Sequence, residues 1–190
     1  GEIEFPSGRI IVADAGATEF ATYPAFEVQV PAGKFPVYTS VLEGPNGTAD
    51  VAVSWVRFSD KPVHHWHPAY YEGHEADDHY DPGFGVDTGT ACIADAEVAA
   101  TLDSEEAGSR LIEVILKAYE APPVALFHPD APSAFFVSNS GIGDGFYSSY
   151  WGSDADLAPV YLAVDFDLLT VPEWESFELT LPLKRGTVQN

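Results

Sequence analysis

Asp87, Asp95, Asp144, Tyr147 and Asp165 are the residues of this chain best suited by type to proton transfer or to holding a small ligand. Convergent carboxylates and a phenol serve acid–base work when a fold gathers them in one cleft. With Thr88, Tyr150 and Trp151 they make up the candidate ligand-binding set. Val86-Asp87-Thr88-Gly89-Thr90 contains the Asp-Thr-Gly of acid proteases, whose chemistry needs two carboxylates sharing one proton. A second Asp-Thr-Gly does not occur, so the expectation there is structural: Asp87 and Thr88 bond backbone amides, and Gly89 allows a close approach.

His64, His65 and His67 flank Trp66, and on a strand His65 and His67 would share a face, as two metal ligands should. Together with Glu72 they give His-x-His-x4-Glu, which resembles the central part of the first cupin motif. No second motif supplies the remaining ligand, although His74, His79 and His128 are present, so no metal and no cofactor is expected. Gly141 to Tyr147 is glycine-rich but lacks the Lys and Ser or Thr of a phosphate loop. It reads as a turn held by Gly143 and Gly145, leading into a strand that carries Tyr147, Tyr150 and Trp151. Asp154 and Asp156 lack the glycine and terminal glutamate of a calcium loop. No Gly-x-Ser-x-Gly elbow occurs, and Cys92, in the apolar run Ala91-Cys92-Ile93, reads as a buried, inert thiol.

Charge narrows the partners. Eight Lys and Arg against 30 Asp and Glu leave a formal net charge of −22. The cations are scattered, so neither nucleic acid nor an anionic membrane is an expected partner. A basic protein would be steered toward such a chain. The acids crowd most densely in an aperiodic central stretch, where Glu72, Glu75, Asp77, Asp78 and Asp81 are the candidate partner-binding residues. One cysteine permits no intrachain disulfide and fits a cytoplasmic setting. No 18-residue apolar run is present, and the start Gly1-Glu2-Ile3-Glu4 carries acid where a signal peptide carries base. Oligomeric state is not legible.

The positioning elements follow from periodicity. Strands are predicted over Arg9–Ala13, Phe26–Val30, Phe35–Leu42 and Asp50–Phe58, linked as a meander through turns such as Gly44-Pro45-Asn46-Gly47. Pro68 to Gly85 reads as one long loop. A short helix from Asp95 to Leu102, capped by Asp95, precedes a longer one opened by Asp103 and Glu106. Its buried stripe is expected to comprise Ala107, Leu111, Ile112, Ile115, Leu116 and Tyr119, and Pro122 ends it. Strands resume over Val124–Phe127, Ala134–Ser138, Phe146–Trp151, Val160–Phe166 and Phe177–Leu183. The expected fold is a single mainly β (α+β) domain over residues 1–190, an antiparallel sandwich or strongly bent sheet with one long and one short helix.

Taken in order, Gly8-Arg9-Ile10-Ile11-Val12-Ala13-Asp14, Pro31-Ala32-Gly33-Lys34-Phe35-Pro36-Val37, Trp66-x-x-Ala69, Val86 to Thr90 with Asp95, Gly143 to Tyr147 with Tyr150-Trp151-Gly152, and Asp165-Phe166 resemble a bacterial family. It is the domain of unknown function 4241. The resemblance runs from about Gly8 to Phe166 and implies a bacterial, mostly β domain without an assigned reaction. Two departures stand out. The family position around Trp66 does not call for histidines, and Ser153 to Pro159 lacks a glycine before the following strand, so a different turn is expected there. Two functional classes remain: an acidic protein-binding module, such as an immunity-type inhibitor of a basic toxin, and an enzyme or small-ligand binder using the Asp/Tyr cleft.

Overall fold

A computed structural model describes residues 1–17, 19–43, 49–74, 82–118, 124–127 and 135–169. The predicted Phe177–Leu183 strand and the Gly44–Gly47 turn lie outside these residues, as do Glu75, Asp77, Asp78, Asp81, His79 and His128.

The described chain is mostly β, arranged as two antiparallel sheets with helices against one of them. The larger sheet contains β1 (Glu2–Phe5), β3 (Gly33–Glu43), β4 (Ala49–Arg57), β11 (Pro159–Asp165), β10 (Gly145–Ser153) and β5 (His65–Pro68) in the order β1-β3-β4-β11-β10-β5. A seventh strand, β6 (Gly83–Val86), pairs with the first half of β10, while β5 pairs with the second half. The smaller sheet contains β2 (Ile10–Asp14), β7 (Thr90–Asp95), β9 (Phe135–Asn139) and β8 (Val124–Phe127) in the order β2-β7-β9-β8.

Period-two alternation explains how the sheets face each other. Val37, Val56, Leu162 and Trp151 lie on successive strands of the larger sheet and point into a core shared with Ile10, Val12, Ala91, Ile93 and Phe136 of the smaller one. Phe26, Phe5 and Phe166 complete this layer, each side chain contributing roughly 2 to 3 kcal/mol of transfer free energy when fully buried. The opposite face of β2 and β7, with Ile11, Ala13, Cys92 and Ala94, packs on a second apolar layer beneath the helices. Both faces of the smaller sheet are thus covered, and β2 and β7 are buried along their whole length.

The helices are α1 (Ala96–Ala100) and α2 (Glu105–Ala118). Asp95 caps α1 as expected, accepting the amides of Glu97 at 3.0 Å and Val98 at 3.3 Å. Ser104, extended at φ −80° and ψ 145°, directly precedes α2, one residue after the expected Asp103 start. On α2, Leu111, Val114 and Ile115 face inward, whereas Ile112 and Leu116 are solvent-facing. The predicted stripe was too wide: a helix lying on one sheet buries a single face, and residues a further 100° round emerge on the far side.

Three other expectations change. Phe26–Val30 forms only a single bridge, Phe26 to Tyr71, because its amides are spent at isolated points: Phe26 on the Ile10 carbonyl and Val30 on the Gly8 carbonyl. Its alternating Phe26, Val28 and Val30 pack on the core without a ladder. The N-terminal third is not one meander, since β2 leaves β1 and β3 to join the smaller sheet. The central loop is shorter than read, with β6 beginning at Gly83. No helix among the described residues is long and apolar enough to cross a membrane.

Candidate functional site

The eight candidate ligand-binding residues do not converge. Asp87 and Thr88 precede β7, whereas Asp95 ends it, and six strand residues span about 17 Å. Asp95 is fully buried and saturated, because besides the α1 amides it accepts the Ser7 amide at 2.9 Å and the Ser7 hydroxyl at 2.8 Å. Its carboxylate pins the start of the chain to the helix. Trp151 points into the core, edge-on to Phe26, and its indole nitrogen has no hydrogen-bond partner among the described residues. Tyr150 lies on the other face of β10. Asp165 stands across from Ser148 and Val53 and accepts the Asp167 amide at 3.0 Å. Burial pushes its carboxyl above the ordinary 3.8; the Asp167 hydrogen bond opposes this, and the Asp167 charge adds to it.

Asp87, Thr88, Asp144 and Tyr147 do meet, at the end of the molecule where the segments 14–17, 87–89, 140–144 and 166–168 adjoin. The organising group is Asp14, which the sequence reading did not single out. Asp14 Oδ2 accepts the amides of Asp87 at 2.6 Å and Thr88 at 3.0 Å. Its Oδ1 accepts the Gly16 amide at 2.7 Å and the Thr88 hydroxyl. The Asp-Thr-Gly segment is therefore structural, but with roles reversed from expectation: it donates its amides to a distant aspartate, and the Asp87 side chain is left in solvent. In the sequence Asp14 closes an apolar strand and the Gly8–Asp14 motif, but a partner 74 residues away leaves no local spacing that shows its role.

Asp144 Oδ1 accepts the Gly89 amide at 3.0 Å, and the Ser140 amide donates to the Gly89 carbonyl at 3.1 Å. The Tyr147 hydroxyl lies 2.7 Å from the Gly143 carbonyl and 2.9 Å from that of Ser140. Burial, the largest cause, raises the Tyr147 phenol above 10.0, so it remains a donor and closes the turn. Gly141 and Gly143 take the positive φ values, +59° and +120°, whereas Gly145 opens β10 without one; the turn is one step earlier than expected.

Elsewhere the motifs resolve into structure. His67 engages Ser153 Oγ at 3.1 Å and the Pro68 carbonyl at 3.3 Å. Among the described residues no three His, Cys, Asp or Glu side chains are gathered as a metal site would require. Asp154 caps its own turn through the amides of Asp156 and Ala158, both at 2.9 Å, and binds Lys61 Nζ at 2.5 Å. Leu157 occupies the left-handed region at φ +63°, where a glycine would have been at ease. Cys92 is buried, and desolvation pushes its thiol far above the ordinary value. Glu72, the described member of the partner-binding set, is held by Arg9 at 2.6 Å.

The family model described as protein of unknown function (DUF4241) matches residues 3–164, from the first core residue of β1 nearly to the end of β11. No curated protein and no solved structure matches the chain.

Proposed function

This chain belongs to the DUF4241 family of proteins of unknown function, and on that footing we propose that it is an acidic protein-binding module, an immunity-type inhibitor that covers the basic surface of a toxin in the cytoplasm. One observation carries the reading. Five cations are already neutralised within the fold: Arg9 by Glu72, Lys34 by Glu4, Arg57 by Asp60, Lys61 by Asp154 and Arg110 by Glu106. Glu19, Glu27, Asp87, Glu113, Asp144 and Asp167 are exposed and have no ion pair among the described residues. Those six carboxylates have no paired cation among the described residues, and an external cationic surface supplies one.

The Asp/Tyr cleft of an enzyme finds less support. Asp14 and Asp95 each spend both carboxylate oxygens on chain amides and hydroxyls, and the Tyr147 hydroxyl closes a turn. The deciding experiment is affinity capture from a lysate of the source organism at low and high salt. Expected is a basic protein retained at low salt and released at high salt, toxic when expressed alone and harmless when co-expressed with this chain. A captured partner that is acidic, or whose retention ignores salt, would overturn the reading.

A further inference from the structure

Ile142 stands at the tip of the turn between β9 and β10 with 85% of its surface exposed, more than any other large apolar side chain among the described residues. A solitary exposed isoleucine is unremarkable on a mobile loop, but this one is mounted on a turn fixed from three sides. Within the turn, the Gly143 amide donates to the Ser140 carbonyl at 2.9 Å and the Ser140 hydroxyl to the Gly143 carbonyl at 2.8 Å, with Tyr147 closing it from below. Toward β7, Gly89 and Asp144 tie it to the Asp87–Gly89 segment. Toward the end of β11, Gly141 lies so close to the chain that a Cβ there would stand 2.8 Å from the Phe166 carbonyl.

The two flanking segments carry charge. Asp87, Asp144 and Asp167 are exposed, and none has an ion pair among the described residues. Asp144 and Asp167 are near enough to the Tyr147 hydroxyl for both charges to raise its pKa. Leu157, the next most exposed at 66%, has a different setting: its turn holds Lys61, which cancels the Asp154 charge. At Ile142 a rigid apolar knob adjoins carboxylates without ion pairs among the described residues: Asp144 in the turn itself, and Asp87 and Asp167 on the two segments joined to it.

We propose that Ile142 is the anchor of the partner interface: it enters an apolar pocket on the basic partner, while Asp87, Asp144 and Asp167 meet lysine and arginine side chains on the pocket's rim. This rests on the basic-partner reading above and adds the place of contact. Such a centre-and-rim layout is that of interface hot spots, where an apolar group fills a desolvated pocket and the surrounding polar contacts exclude water. The locked turn means that little conformational freedom is lost on binding. Charge complementarity selects the occupant: a neutral or acidic surface would bury these carboxylates without partners.

A random-peptide library displayed on phage, panned against the whole chain at low salt, is the test. Expected are peptides with Lys or Arg flanking an apolar or aromatic residue. Ile142→Ser, a change at an exposed position, should weaken them about tenfold or more, chiefly through faster dissociation. Replacing Asp87, Asp144 and Asp167 together by Asn, which preserves the Gly89 acceptor, should slow association at low salt and lose its effect near 1 M, where the Debye length is about 3 Å. Basic peptides that bind Ile142→Ser as tightly as the parent would overturn the anchor and leave the basic-partner reading standing. Enrichment only of peptides poor in Lys and Arg, or of none, would count against both.

Discussion

Asp14 and Thr88 are joined twice, the carboxylate accepting both the backbone amide of Thr88, at 3.0 Å, and its hydroxyl. The contact closes the end of the β2–β7 pair, where Asp14 stands opposite Ala91. Asp14→Ala would leave the amides of Gly16, Asp87 and Thr88 without their acceptor in a site where Asp14 is only 7% exposed. A loss of about 3 kcal/mol or more is expected, at about 1 to 3 kcal/mol per stranded buried group. Urea denaturation with an unchanged slope measures it; a midpoint equal to the parent's would show the segment held by other contacts.

Leu157 sits at φ +63° with its side chain 66% exposed, so the turn bears left-handed strain without recovering it through burial. Leu157→Gly should relieve that strain and stabilise the protein by up to about 1 kcal/mol, the unfolded-state entropy of glycine offsetting part of the gain. Thermal unfolding reads the shift, and a lower Tm would contradict the strain.

Asp165 titrates above its ordinary 3.8, chiefly because it is buried. The fold therefore favours its neutral form: the contribution to stability is full below the ordinary value and disappears as pH rises through the folded one. Asp165→Asn keeps an oxygen for the Asp167 amide and removes the charge. Its Tm should exceed the parent's at neutral pH, and the difference should vanish in acid. A difference that does not change with pH would assign the effect to packing.

Asp154 behaves oppositely. The hydrogen bond from Lys61, then that from the Ala158 amide, hold its carboxyl below 3.8. This contribution is present above the ordinary value and lost as pH falls through the folded one. Lys61→Met should therefore lower stability at neutral pH, modestly because the lysine is exposed, and the difference from the parent should vanish as pH falls below the carboxylate range. Circular dichroism against pH follows the transition.

Legibility in the sequence tracked how local each determinant was. Val51, Val53 and Trp55 alternate with Ala52, Ser54 and Val56, and β4 runs through them. Asp95 announced itself as a cap because its acceptor role is played out within three residues. The same adjacency concealed that its other oxygen reaches back to Ser7, 88 residues earlier. Phe26–Val30 shows strand alternation yet makes only the one bridge, Phe26 to Tyr71, which no local pattern reveals. The candidate site suffered most. Asp87, Thr88, Asp144 and Tyr147 lie on adjoining segments whereas Asp95 stands at the far end of β7, because chemical type carries no address, and the role of Asp14 is hidden because its partners lie across the fold.

The place of β10 and β11 in the larger sheet bears on how the protein is born. β11 lies between β4 and β10, and β10 in turn holds both β5 and β6, so three strands made earlier, β4, β5 and β6, wait for residues 145–165. A nascent chain that has emerged only as far as β9 holds β3 and β4 as a hairpin with the inner edge of β4 bare, and β5 and β6 have nothing to pair with. Such non-local closure is intrinsically slow, and open strand edges are sticky while it is pending. Chains truncated before Gly145 should accumulate as aggregates, whereas the smaller sheet, complete by Asn139, is the part able to assemble while synthesis is still under way.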